Sequence, residues 1–132
     1  EADPGQIAAA IEDIDEAIKQ AGKTVPITKA KTLIAVAGTA TTVAAAALEL
    51  SEYDRYAIHL SRIQAEKVHA ISKLFLSMKR EEREELGYMH PGRVDVIGAG
   101  SLVLSRIMLA TGANEFVASE SDILDGMAWS LV

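Results

Sequence analysis

A helix-rich α/β fold with a short, mainly parallel sheet is what the 132-residue sequence predicts. Three observations carry it. Apolar residues make up 49% of the chain, enough for a packed core. Several stretches repeat their apolar residues at helical spacing, and two short apolar runs between them have strand length. Strands alternating with helices belong to parallel α/β arrangements. At this length the chain is one domain, residues 1–132.

The elements follow in order. Asp3 and Pro4 are a helix-start signature, an N-cap acceptor followed by proline at the first helical position. Ile7, Ile11, Ile14 and Ile18 then form one apolar stripe, opposite a face of Glu12, Asp13, Asp15, Glu16 and Lys19, with Gly22 expected just past the helix end. Residues 32–37 read as a short strand buried on both faces, as parallel strands are. An alanine-rich helix follows at 41–50, then a polar turn, "SEYDRY", and a short extended piece, "YAIHL". Residues 64–78 read as a helix with Val68, Ile71, Phe75 and Met78 on one face, continuing through the charged run "KREEREEL" until Gly87. After the tight "HPG" connection a helix is expected at 94–111, capped by Gly112, then a strand at 115–119 and a last helix from 122 onward. Two strands do not make a stable sheet, so the reading expects further strands upstream. A chain that begins without methionine is expected to be a processed or excised piece of something longer.

Bulk properties exclude several function classes. The net charge of -6 argues against a nucleic-acid footprint, and six carboxylates against one lysine in the first 20 residues make the acidity uneven. With no cysteine there is neither a disulfide framework nor a thiolate metal site, and a reducing cytoplasm is the expected compartment. The most apolar stretch, 94–110, is broken by Asp95 and Arg106 and reads as a buried helix rather than a membrane span. His59, His69 and His90 lack metal-ligand spacing, no metal ligand or catalytic nucleophile is assigned, and Met108, Met127 and Trp129 are expected in the core.

Two motifs carry chemistry. In "LIAVAGTATTVAAAA" a strand ends at Gly38 and turns into a helix, bringing backbone N–H groups and the positive helix end to one point. Thr39, Thr41 and Thr42 add hydroxyls there, which suits a phosphate. An ordinary strand-to-helix turn with a threonine cap accounts for the same letters, and spacing does not choose between them. "GTATT" is not a P-loop, because it lacks the lysine and the longer glycine span. In "HPGRVDVIGAG" Arg93 stands at an expected helix start, where the helix dipole disfavours a cation. It either reaches an anion or pairs with an acid such as Asp95. Gly98 and Gly100 within a helix each cost on the order of 1 kcal/mol against alanine, so they imply close packing.

The blocks "VAGTATTVAA", "HPGRVDVIGAGSLVLSRIM" and "EFVASESDILDGMAWSL" together resemble the C-terminal part of the exopolyphosphatase/guanosine-pentaphosphate phosphohydrolase (Ppx/GppA) family. The resemblance implies an actin-like, ribonuclease-H-like lobe, the second of two that close on a phosphate-bearing ligand. It implies hydrolysis of a terminal phosphoanhydride, in inorganic polyphosphate or guanosine pentaphosphate, with Mg²⁺ and a catalytic glutamate. That glutamate and the family's first phosphate and glycine-rich loops lie upstream of this chain, so this segment alone is expected to be inactive. Its share of the site is phosphate binding by Gly38, Thr39, Thr41, Thr42 and Arg93. Leu124 stands where the family usually has a basic residue, so no anion contact is assigned there. The expected partners are the phosphate substrate, the first lobe in the parent, and a second copy of the isolated chain; no nucleic acid and no membrane. A non-catalytic nucleotide-sensing or interaction module on the same lobe is the alternative.

Overall fold

The computed structural model describes residues 2–132. Helix α1 (Pro4–Gly22) is capped by Asp3, whose carboxylate accepts from the backbone N–H of Gly5 at 2.8 Å and of Gln6 at 3.2 Å. Gly22 is its last residue rather than the one beyond it. The isoleucine stripe is half-buried and turned toward the helical body. After a 3-10 turn (Ile27–Lys29), strand β1 (Ile34–Val36) runs directly into helix α2 (Ala37–Ala47), which starts four residues earlier than expected.

One helical turn, α3 (Arg55–Ile58), capped by Asp54, replaces the expected extended piece, and β2 (Arg62–Gln64) follows it. The long central helix divides: α4 (Ala65–Ser77) stops at Met78, whose ψ of 144° is extended, and α5 (Arg80–Glu84) restarts with the Lys79 N–H donating to Glu82. A 3-10 turn (Pro91–Arg93) precedes α6 (Ile97–Thr111), which ends on Gly112 in the left-handed region at φ 71°. Strand β3 (Glu115–Ser119) and helix α7 (Ile123–Trp129) complete the chain.

The sheet is three-stranded, in the order β1-β3-β2, with β1 parallel and β2 antiparallel to the central β3. Register places Leu33, Ala35, Ile63, Phe116 and Ala118 on one face, which α2, α4 and α6 cover. Val43, Val68, Phe75, Ile97 and Met108 pack there, all shut off from solvent. The two helical glycines fill the role expected of them. A Cβ at Gly100 would stand 2.7 Å from Oγ1 of Thr39 on α2, and one at Gly98 3.4 Å from Leu76 on α4. These contacts let α6 approach both neighbours.

Two expectations fail on the opposite side. Strand β1 is not buried on both faces: Ile34 is 61% and Val36 53% exposed, because β1 is an edge strand whose outer face no element among the described residues covers. Met127 and Trp129 lie outside the core, at 60% and 78% exposure, because α7 buries none of its residues. No helix among the described residues is long and apolar enough to cross a membrane.

Candidate functional site: a cleft at the start of α2

The turn from β1 into α2 takes a single residue. Ala37 has φ 68°, the left-handed conformation that side chains with a Cβ adopt at a cost of about 1–2 kcal/mol. The sequence places the strand's end at Gly38; the structure puts the turn one residue earlier, at Ala37, and sets Gly38 in the first helical turn. A Cβ on Gly38 would overlap Cζ, Nε and Nη2 of Arg93, so the guanidinium lies directly on the backbone of the first helical turn. Val36, the N-cap, offers no side-chain acceptor, which leaves the first amides of α2 without a capping side chain.

Arg93 and Gly38 form one wall of a cleft of about 490 Å³, with Thr41, Thr42, Tyr53 and Tyr88 around it. Asp95 is not the partner of Arg93: its carboxylate accepts from Nε of Arg80 at 2.9 Å. Among the described residues Arg93 has no carboxylate partner at all. The cleft therefore combines an unpaired guanidinium, which carries donors only, with the positive end of an 11-residue helix. Such a place attracts an anion.

The threonines divide. Thr41 and Thr42 line the cleft, buried, with their hydroxyls donating back to the Gly38 carbonyl at 3.3 and 2.7 Å. Thr39 turns its side chain away, onto Gly100 of α6, so only its backbone N–H belongs to the helix start. Sequence reasoning missed the aromatic rim. The Tyr53 hydroxyl donates to Glu120 at 2.5 Å, and burial, then that bond, pushes the phenol above its ordinary range. Burial raises Tyr88 as well, so both phenols stay neutral near pH 7. Their signal in the sequence is aromatics inside two turn segments, "SEYDRY" and "GYMHPG". Gly87 fixes how the two segments meet, since a Cβ on it would overlap the Ser51 carbonyl oxygen. His90 spends Nδ1 on the N–H of Gly92 at 3.1 Å.

A sequence profile of the Ppx/GppA phosphatase family matches residues 3–132. The chain belongs to this family. Exopolyphosphatase 2 of Mycobacterium tuberculosis is 39% identical over 122 residues, which are 89% of this chain and 38% of that protein. A crystal structure of an exopolyphosphatase-like protein superposes with a TM-score of 0.91 at 40% identity, over 98% of this chain and 43% of the other. The Aquifex aeolicus Ppx/GppA structure gives a TM-score of 0.87 at 19% identity, covering 98% and 41%. This Ppx/GppA chain has the helix-rich actin-like lobe fold, and it spans about two fifths of the length of those relatives. Among its described residues no group of three or more His, Asp or Glu side chains is placed to hold a metal ion.

Proposed function

We propose that this chain is the second, C-terminal lobe of a phosphoanhydride hydrolase that releases terminal phosphate from inorganic polyphosphate or guanosine pentaphosphate in the cytoplasm. The observation that carries the reading is Arg93, an unpaired guanidinium resting on the bare backbone of Gly38 at a helix start. Its two faces of recognition are complementary. The guanidinium gives charge-assisted hydrogen bonds to phosphoryl oxygens, and the α2 amides give neutral ones along the same edge. The name of the mycobacterial relative supports the class of substrate.

Chemistry on this reading is shared between lobes. This lobe binds and orients the phosphate chain, while the water-activating glutamate, the remaining phosphate loops and the ligands of Mg²⁺ belong to the first lobe of the parent. The uncovered outer face of β1 and the bare helix α7 are where that lobe would pack. In the isolated chain a second copy would take its place, most simply with two-fold symmetry.

The test uses the full-length parent with polyphosphate or guanosine pentaphosphate and Mg²⁺, following released phosphate. Arg93→Ala is expected to raise KM roughly tenfold to a hundredfold, the worth of a hydrogen bond to a charged group. The loss shrinks as salt is added, because ions screen the contact. Lost thermal stability with KM unchanged would instead make Arg93 structural and end the proposal. A parent that binds either compound without releasing phosphate would favour the sensing module.

A further inference from the structure

Tyr53 stands between two cavities of opposite character. On one side is the cleft of Arg93 and the α2 start, whose lining contains no carboxylate. On the other is a space of about 580 Å³ lined by Glu120, Asp122 and Asp125, with Arg55 the one cation among them. Among the described residues Tyr53 alone lines both. An anion-attracting cleft thus has carboxylates for neighbours, and a single phenol parts them.

Glu120 is the acid placed to cross. It follows Ser119, the last residue of β3, which pairs in register with Val36, the residue before the turn into α2. Its backbone is fixed, since its N–H donates to Nδ1 of His59 at 3.1 Å. Its carboxylate accepts from the Tyr53 hydroxyl at 2.5 Å. The Thr41 hydroxyl, on α2, lies close enough to the same phenol to act on its ionisation. The carboxylate is therefore held next to the cleft but outside it. Two groups inside the cleft would take a carboxylate as they would a phosphate. One is the Arg93 guanidinium, which has no carboxylate partner among the described residues. The other is the set of first amides of α2, for which Val36 provides no cap. Asp122 and Asp125 are already engaged at the start of α7: Asp122 accepts from the Leu124 N–H at 2.8 Å and Asp125 from the Asp122 N–H at 2.7 Å.

We propose that Tyr53 is a positioning residue, whose hydroxyl detains the Glu120 carboxylate and so keeps Arg93 free for the phosphate substrate. The inference rests on the reading of the Arg93 cleft as the phosphate site. Without the hydroxyl, Glu120 stays anchored by its backbone while its side chain is free to turn onto Arg93. It then competes with substrate from within the protein, and the apparent affinity falls with the fraction of molecules in which Arg93 remains open. Tyr53 acts through Glu120 and not by touching the substrate.

The test measures KM and kcat of the full-length parent for polyphosphate and for guanosine pentaphosphate with Mg²⁺. Tyr53→Phe is expected to raise KM about threefold to tenfold with kcat nearly unchanged. Glu120→Gln alone should not raise KM. The double variant Tyr53→Phe, Glu120→Gln should return KM to within about twofold of the unaltered parent, because a neutral amide does not compete for the guanidinium. Removing a charge would not rescue a phenol that served only the fold. A double variant as impaired as Tyr53→Phe would therefore overturn the proposal, giving the hydroxyl to the substrate or to packing. An unchanged KM in Tyr53→Phe would overturn it too, since the released Glu120 then stays in place or turns to Arg55. Arg93→Ala separates this failure from that of the underlying reading. If Arg93→Ala raises KM and Tyr53→Phe does not, only the role of Tyr53 falls; if Arg93→Ala leaves KM unchanged, the phosphate cleft falls and this inference with it.

Discussion

The two faces of the small sheet differ in what they carry and in what covers them: the inner face is apolar throughout, while the outer face mixes Ile34, Val36 and Val117 with Arg62, Gln64 and Glu115. On the inner face Phe116 and Ala118 are sealed under three helices, whereas on the outer face Ile34 and Val36 stand open to solvent. Helix α7 repeats the outer pattern, with Ile123, Leu124, Met127 and Trp129 all exposed. The difference teaches that apolar content is not the same as core. The described residues hold one hydrophobic core, on the α2–α4–α6 side, and leave Ile34, Val36 and the apolar residues of α7 outside it.

The strongest way to break that comparison is to exchange large for small on each side. Phe75→Ala or Phe116→Ala should cost about 3–5 kcal/mol in denaturant unfolding, because each empties a fully buried site. Ile34→Ser and Trp129→Ser should stay within about 0.5 kcal/mol at low protein concentration. Equal losses on both sides would mean that the outer face is already part of a folded core.

Next in size is assembly. If a second copy covers the outer face, light scattering on the isolated chain should give a mass of two chains at micromolar concentration. Val36→Lys should return it to one, since a charge there opposes burial. A single-chain mass for the unaltered protein would sink the dimer. The same preparation should release no phosphate from polyphosphate with Mg²⁺. Metal-dependent release above a buffer control would show that this lobe carries its own catalytic group.

What the sequence reveals follows from what each signal depends on. Strand β3, the stripe of α4 and the Gly112 stop are local patterns, and they stand where the periodicity puts them. Strand β2 was illegible because only Ile63 in "RIQ" is buried; its pairing with Phe116 depends on a residue more than fifty positions away. The exposure of α7 was equally hidden, since an amphipathic pattern tells which face is apolar, not whether anything arrives to cover it. At the cleft the letters left Gly38 and Arg93 open, the resemblance alone grouped them, and the structure sets the two side by side. The letters did not show that what approaches the Gly38 backbone is the Arg93 guanidinium itself, in the space a Cβ would fill. That contact is testable. Gly38→Ala must displace the Arg93 guanidinium, so phosphate-substrate affinity in the parent should fall roughly tenfold while the fold survives. An unchanged KM would mean that the guanidinium has another resting place that serves as well.

The smallest expected effect concerns α1, which belongs to neither side of the comparison. It buries no residue completely, and its firmest polar tie is the Asp15–Arg106 pair. The hydrogen bond from Arg106, more than its charge, holds the Asp15 carboxyl below its ordinary range. A carboxyl whose folded value is depressed adds stability above its unfolded value, about 3.9, and loses it as pH falls through the folded one. Asp15→Asn should therefore lower the melting temperature slightly near neutral pH, and the gap to the unaltered chain should close as acidification takes the pH through the depressed Asp15 value. Both groups are partly exposed, so added salt should shrink the gap at neutral pH as well. Amide exchange gives the more sensitive reading: in Asp15→Asn, residues of α1 should lose protection while α4 and α6 keep theirs. Loss of protection across all three helices would show that α1 is part of the cooperative core rather than a strap laid over it.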